Sequence, residues 1–271
     1  MINSIVQALE EKGYLAEAGN FFVHGKKKQG IRIKKENSNI SMTIYPKHSL
    51  EKQGTNINDI LNDIVRLYEE NSRMEFLESA LKREEYIAQH IYLGIQKESE
   101  EKIVKKMPLG LEGLEVYMYI RAIEDSFVMK IQKEHLAEAG ISAEQAWHMA
   151  ENNTFKETEI YNLGEIIKEH FGISCSENLY VPIPMYVVTN KVHTRGAAGI
   201  LDRDKLRKLA ILYHTKTIIV LPSSIHEMII IPVENGETTD LKAYEKMVRE
   251  INECELLEED ILIDRAYIMN L

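Results

Sequence analysis

A short polar segment between two apolar runs carries the residue types of a nucleophilic active site. The sequence "PSSIHE" follows "TIIVL" and is followed by "MIII". Ser223 and Ser224 supply hydroxyl groups, while His226 supplies a base and Glu227 an acid. In serine hydrolases a hydroxyl attacks the substrate, a histidine takes its proton and a carboxylate orients the histidine. These four residues are therefore the candidate catalytic residues.

The same segment also has a structural interpretation. Pro222 and the two serines are typical of a turn between antiparallel strands. If the next strand begins at the turn, its alternation places His226 and Glu227 on opposite faces, out of mutual reach. No GxSxG motif accompanies the serines. The sequence thus favours a polar turn that fixes strand register, and it leaves open catalysis in which His226 pairs with an acid from elsewhere in the chain.

Neighbouring segments supply candidate binding residues. Strand pairing is expected to bring "VTNK" beside the serines and the histidine. The small residues of "TRGAAGI" allow either a ligand or another stretch of backbone to approach closely. The candidate binding residues are Asn190, Lys191, Gly196, Ser224 and His226.

Common metal and nucleotide motifs are missing from the sequence. The 9 histidines show no HxH, HxxxH or HExxH spacing, and neither GxxxxGK[ST] nor GxGxxG occurs. We therefore expect no metal site and no cofactor.

Charge limits the class of partner. The chain carries 43 acidic and 33 basic residues and a formal net charge of −10, so its overall field repels phosphate backbones. The most basic run is "HGKKKQGIRIKK", in which Lys26, Lys27 and Lys28 are predicted to form a hairpin loop. We expect no general nucleic-acid binding and an unidentified protein or small-molecule partner. An acidic inhibitor of a nucleic-acid enzyme is a further alternative.

Cellular location is inferred from cysteine content and hydropathy. Two cysteines, Cys175 and Cys254, are too few for a disulfide framework. The first residues, "MINSIVQALEEKGYL", do not form a signal peptide, and no apolar run approaches the ~18 residues of a membrane span. These features favour a cytoplasmic protein without a membrane anchor.

Periodicity in residues 1–178 predicts an N-terminal region of mixed helices and strands. A helix over residues 2–12 precedes a three-stranded meander, and a second helix starts at Asn56. "YIAQHIYLGIQ" fits either the continuation of a helix from "RMEFLESALKREE" or a β-branched strand, and we interpret it as a strand. We interpret "LEVYMYIRAIEDSFVMKIQ" as a hairpin. Ser142 and Gln145 form a capping box at the start of a further helix.

Residues 179–271 are predicted to form a second region with ββαββα order. "MYVVTN" and "GAAGIL" are its first pair of strands, and "TIIVL" and "EMIIIPV" its second, each pair followed by an amphipathic helix. "DILIDRAYIM" supplies a closing strand. A linker over residues 174–184 contains Pro182 and Pro184, so a domain boundary is placed near residue 178, although the 271 residues can also form one domain. The predicted fold class is α+β.

Several segments resemble one family. "PMYVVTNKVHTRGAAGIL", "LPSSIHEMIIIP", "KEHLAEAGISAEQAWHMAENNT" and "TIYPKHSLEKQGTNINDILNDIVRLYEEN" are similar, in the same order, to an uncharacterised bacterial family of unknown function, DUF5688. The resemblance covers nearly the whole chain and implies no activity for the candidate residues. The function we predict is a non-catalytic cytoplasmic binding or regulatory module, with a hydrolase-like enzyme as the alternative.

Overall fold

Three antiparallel sheets and the helices packed on them make up the α+β fold of the protein, as predicted. A computed structural model describes residues 2–23, 26–36, 41–45, 57–70, 79–121, 128–166, 183–233 and 240–271. The sheets have three, four and five strands within these ranges.

The first sheet has a hydrophobic core of its own. In chain order its elements are α1 (Ile2–Glu11), β1 (Tyr14–Val23), β2 (Lys26–Lys35), β3 (Met42–Ile44) and α2 (Ile57–Glu70). The predicted opening helix and meander are confirmed, and Gly13 ends α1 with a φ of 87°. Ile5, Leu9, Ile31 and Ile64 are among its buried residues. Asn56, predicted to start the second helix, lies outside the described residues.

The lysine run belongs to a strand and not to a loop. Lys26, Lys27 and Lys28 pair with Val23, Phe22 and Phe21 of β1, so the prediction of a lysine hairpin loop was wrong. The hydrogen-bonded ladder between β1 and β2 extends to the pair Val23–Lys26, so it includes the lysines that the composition had assigned to a loop.

A short helix precedes the second sheet, where a strand was predicted. The helix is α3 (Glu84–His90), and the strands of the sheet are β4 (Ile91–Lys97), β5 (Lys105–Lys106), β6 (Leu114–Arg121) and β7 (Val128–Lys130). "YIAQHIYLGIQ" is therefore helical up to His90 and extended only from Ile91. The His90 ring stacks on Tyr86 one helical turn earlier, and this contact favours the helix there. The predicted hairpin is confirmed by the pairing of β6 with β7, and its turn lies outside the described residues.

Two helices lead into the third sheet. These are α4 (Lys133–Glu138) and α5 (Ala143–Glu157), and β8 (Thr158–Asn162) follows α5 without a loop. The predicted capping box is present: Gln145 N donates to Ser142 Oγ at 3.2 Å, and Ser142 N donates to Gln145 Oε1 at 3.0 Å.

The third sheet has the strand order β12-β10-β11-β9-β8. The remaining elements are β9 (Tyr186–Asn190), a 3₁₀ helix (Gly196–Leu201), α6 (Arg203–Leu212), β10 (Thr217–Leu221), β11 (Met228–Pro232), α7 (Leu241–Glu255) and β12 (Tyr267–Asn270). The second ββα unit and the closing strand are confirmed.

The first ββα unit contains one strand fewer than predicted, because "GAAGIL" forms the 3₁₀ helix. This helix packs directly on β9. A Cβ on Gly196 would lie 2.5 Å from Asn190 N, and one on Gly199 would lie 2.9 Å from Thr158 Cγ2. The glycines therefore serve the close approach of two backbone segments.

A second hydrophobic core spans both predicted regions. It includes Ile91 and Met118 of the four-stranded sheet and Val188 and Met269 of the five-stranded sheet. Residues 167–182 lie outside the described residues, so the boundary near residue 178 stays a prediction. Among the helices that the structure describes, none is long and apolar enough to cross a membrane.

Candidate functional site

The segment from Pro222 to Glu227 forms a bonded turn between β10 and β11. Ser224 N donates to Glu227 O at 3.0 Å, and His226 N donates to Ser224 Oγ at 3.1 Å. Because β11 begins only at Met228, the expectation that His226 and Glu227 lie on the strand was wrong. Backbone hydrogen bonds within the turn set the positions of these side chains, and strand alternation does not.

The His226 imidazole is held from both sides. Its Nδ1 accepts a hydrogen bond from the Arg195 backbone N at 3.2 Å, and its Nε2 lies 3.4 Å from Asp260 Oδ1. A backbone N–H can only donate, so the neutral ring carries its proton on Nε2, the nitrogen that faces Asp260. The acid beside His226 is therefore Asp260, and Glu227 does not take this position.

Neither serine hydroxyl contacts the imidazole. Ser224 is 4% exposed, and its Oγ accepts from the His226 backbone. Ser223 is half-buried, and among the described residues its hydroxyl bonds neither to His226 nor to a carboxylate. The two ring nitrogens face the Arg195 N–H and the Asp260 carboxylate, so the imidazole is not placed to take a proton from either serine.

Candidate binding residues meet around one exposed loop. We call residues 191–195, "KVHTR", the basic loop. Asn190 Nδ2 donates to Thr194 O at 2.8 Å, while Asn190 Oδ1 accepts from Thr194 N at 3.1 Å, so one side chain closes the loop. Thr189 Oγ1 also donates to His226 O at 2.9 Å. The structure thus brings Asn190, Ser224 and His226 together beneath the loop.

The basic loop is held in a strained conformation. His193 and Arg195 have φ values of 52° and 56°, in the left-handed region that residues with a Cβ rarely adopt. Lys191 N donates to Glu157 O at 3.2 Å and adds an anchor from the end of α5. The Lys191 and His193 side chains are exposed, and Arg195 is half-buried. Such strain persists only where the surrounding contacts impose it.

One face of the four-stranded sheet is polar and aromatic. Residues paired across β4 and β6 share a face, and the pairs Gln96–Glu115, Gly94–Tyr117 and Tyr92–Tyr119 all lie on this one. We call this set, together with Arg121, the polar face. Arg195 Nη1 donates to Tyr117 Oη at 3.1 Å and joins the basic loop to it. None of these residues was a candidate from the sequence, although those of β6 occupy alternate positions of the strand.

Arg121 and Glu157 form a bidentate pair at one end of the polar face. Arg121 Nη1 and Nη2 donate to the two Glu157 oxygens at 2.8 and 2.7 Å, and Tyr92 Oη donates to Glu157 Oε1 at 2.8 Å. Burial acts to raise the pKa of Glu157, but these hydrogen bonds outweigh it and hold that pKa below the ordinary value. Burial, together with the bond to Glu157, raises the pKa of Tyr92 to about 12.

A buried ionic network occupies the other end. Glu115 is 0% exposed, and its carboxylate accepts from Gln96 Nε2 at 2.7 Å and from Ser99 Oγ at 2.8 Å. Lys105 Nζ lies 2.8 Å from Glu115 Oε2. Lys130 Nζ donates to Gln96 Oε1 at 2.8 Å. Burial works to raise the pKa of Glu115, but the bonds from Lys105, Gln96 and Ser99 lower it.

Other candidate chemistry is sparse in the described residues. Cys254 is a free, exposed thiol, while Cys175 lies outside the described ranges. Within those ranges no three His, Cys, Asp or Glu side chains cluster as metal ligands do.

Comparison with known proteins gives a family but no activity. The model of a family of unknown function, DUF5688, matches residues 16–270. A search of curated proteins found no match, and a search of solved structures found none either.

Proposed function

Starting from the premise that this chain belongs to the DUF5688 family, whose description states no activity, we propose that the protein is a non-catalytic binding module. In this proposal the turn at residues 222–227 is a support, and the basic loop is the element that meets the partner. The partner is an unidentified protein or small molecule, and the module acts in the cytoplasm.

One observation carries the proposal: His226 Nδ1 accepts a hydrogen bond from the backbone of the basic loop. The other ring nitrogen, Nε2, faces Asp260 Oδ1 at 3.4 Å. A histidine that activates a serine needs one nitrogen on the hydroxyl and the other on the orienting acid. Here the place of the hydroxyl is taken by the Arg195 N–H, and this arrangement favours support over catalysis.

The shape of the loop favours binding. Hydrogen bonds from Asn190, His226 and Glu157 fix its backbone, while Lys191 and His193 remain exposed. A loop fixed before the partner arrives loses less conformational entropy on binding than a flexible one. Rigid, exposed loops on a packed scaffold are a common place for recognition.

The enzyme alternative is tested with a fluorophosphonate probe, which reacts covalently with activated serine nucleophiles. The intact protein is treated with the probe, and the modified positions are identified by mass spectrometry, with Ser224→Ala and heat-denatured protein as controls. We expect no labelling of Ser223 or Ser224 above the denatured control. Labelling of either serine that His226→Ala abolishes would overturn the proposal in favour of a hydrolase.

A further inference from the structure

The basic loop contains the guanidinium group of Arg195. This side chain is half-buried, and its Nη1 donates to Tyr117 Oη at 3.1 Å. Among the residues that the structure describes, no carboxylate forms an ion pair with it. Charged groups removed from water are usually paired, so a half-buried arginine with no ion pair in the described part of the chain needs an explanation.

A neighbouring arginine shows the usual arrangement. Arg121 lies on the polar face that Arg195 contacts through Tyr117, and both of its terminal nitrogens bind Glu157. Burial raises the pKa of Tyr119, and the charges of Arg195 and Arg121 both act to lower it. Of these two cations, Arg121 pairs with Glu157, and Arg195 has no ion pair among the residues that the structure describes.

The acids that adjoin the loop already have partners. Glu157 binds Arg121, Asp260 lies against the His226 ring, and Glu159 accepts a hydrogen bond from Tyr161. Within the described part of the chain, none of them forms an ion pair with Arg195 or with Lys191, although the charge of Lys191 acts to lower the pKa of Glu157. The loop thus carries two cationic side chains, Lys191 exposed and Arg195 half-buried, on a protein whose net charge is −10.

We infer that Arg195 and Lys191 form a binding site for the oxyanion group, a carboxylate or a phosphate, of a small ligand. With Nη1 engaged by Tyr117, the edge formed by Nε and Nη2 presents two parallel N–H groups, which match the paired oxygens of either anion. Lys191 adds a second positive charge from the same clasped loop. This inference rests on the proposed function and names the ligand chemistry of its basic loop.

The site is tested by calorimetric titration of the intact protein, at low ionic strength, with inorganic phosphate and separately with succinate. The variants are Arg195→Gln and Lys191→Gln. Lys208→Gln is the matched control, because Lys208 is exposed on α6 and its loss changes the net charge equally. We expect saturable binding of at least one anion, about tenfold weaker in Arg195→Gln, weaker in Lys191→Gln and unchanged in Lys208→Gln.

The titration has distinct outcomes. Tighter binding of phosphate or of succinate identifies the kind of oxyanion, and either result supports the site. Absence of saturable binding of both anions to the wild type would overturn it, as would equal weakening in all three variants. Fluorophosphonate labelling of the same preparations separates the two proposals: missing anion binding without labelled serine refutes the oxyanion site alone, while a labelled Ser223 or Ser224 refutes the binding module.

A second measurement guards against a variant that does not fold. Amide signals of the wild-type protein are followed by NMR during the phosphate or succinate titration. We expect the largest shifts at residues 191–196. Shifts confined to the other basic segment, Lys26–Lys35 on β2, would place anion binding elsewhere and contradict the assignment.

Discussion

The turn at residues 222–227 and the polar face of the four-stranded sheet differ in where their polar groups come from. The turn is polar in sequence, while the polar face holds charged groups that the fold buries. The turn brings two serines, a histidine and a glutamate together within a few positions, yet its hydrogen bonds serve the backbone. The polar face lies on "LEVYMYIR", an ordinary strand pattern, yet Glu115 is 0% exposed within a charged network. The segment with the highest density of candidate catalytic residues is therefore not the region that holds the buried charged network.

The difference lies in how the polar groups are assembled. In the turn, hydrogen bonds such as His226 N to Ser224 Oγ and Arg195 N to His226 Nδ1 hold the backbone of the turn and of the basic loop. On the sheet, alternation collects residues from several strands on one face, and their partners come from distant segments such as the end of α5. Long-range assembly also joins the basic loop to the sheet, through the bond from Arg195 to Tyr117.

The largest effect is expected at the buried end of the polar face. Glu115→Ala removes the acceptor of Gln96, Ser99 and Lys105, and breaking a buried ion pair typically costs about 3–5 kcal/mol of unfolding free energy. Chemical denaturation measures the loss. Glu98→Ala is the control, since this exposed residue of the same loop should change stability by less than about 0.5 kcal/mol. Similar losses in the two variants would mean that the network contributes little.

Gly196→Ala tests the packing beneath the basic loop. The new Cβ would meet Asn190 N at 2.5 Å and Thr189 Oγ1 at 2.6 Å, so the 3₁₀ helix must move away from β9. Overpacking of this kind costs about 1–3 kcal/mol, occasionally more. Thermal unfolding gives the cost, and NMR should show shifted amides over residues 190–196. An unchanged melting temperature with unchanged amides would refute the close packing.

The turn itself is tested by comparing two neighbouring substitutions. His226→Ala leaves the Arg195 N–H without its acceptor, and we expect a loss of about 1–3 kcal/mol. Ser223→Ala removes no bond that holds the turn and should stay within about 0.5 kcal/mol. Equilibrium unfolding in urea measures both. A destabilised Ser223→Ala beside a neutral His226→Ala would reverse the roles assigned to these residues.

The smallest of these effects is the pH dependence. The folded-state pKa values of Glu115 and Glu157 are lowered, so each carboxylate stabilises the fold above the ordinary glutamate value of 4.5. That contribution is lost as the pH falls below 4.5 and through the folded-state values. Melting temperatures from pH 7 to pH 3 should therefore drop less steeply in Glu157→Gln than in the wild type. A parallel pair of curves would show that Glu157 has no such role.

Elements governed by local pattern were predicted from the sequence. The apolar stripe of α1, the capping box at Ser142 and the alternation of β6 each depend on residues a few positions apart. The 3₁₀ helix at "GAAGIL" was missed because its glycines are required by close packing against β9, and this packing is not visible in the local sequence. The turn from helix to strand at Ile91 was missed because "YIAQHIYLGIQ" satisfies both periodicities.

The candidate site was predicted in part. The structure does bring together the predicted residues Ser224, His226, Asn190 and Gly196. This proximity was predicted because the apolar runs indicated the strands, and pairing of the strands places their ends side by side. Asp260 could not be assigned to His226, since their contact depends on the path of the chain after α7. The polar face did carry a signal: Glu115, Tyr117, Tyr119 and Arg121 alternate along one strand, where a purely apolar buried strand would have none of them.

The most direct test of the supporting role of His226 is the protonation state of its ring. Long-range ¹H–¹⁵N NMR distinguishes the two neutral tautomers of an imidazole. The account predicts a proton on Nε2, directed at Asp260, and an unprotonated Nδ1 that accepts the Arg195 amide. A neutral ring protonated on Nδ1 would contradict it, because the Arg195 N–H would then face a donor and Nε2 would be free to act as a base.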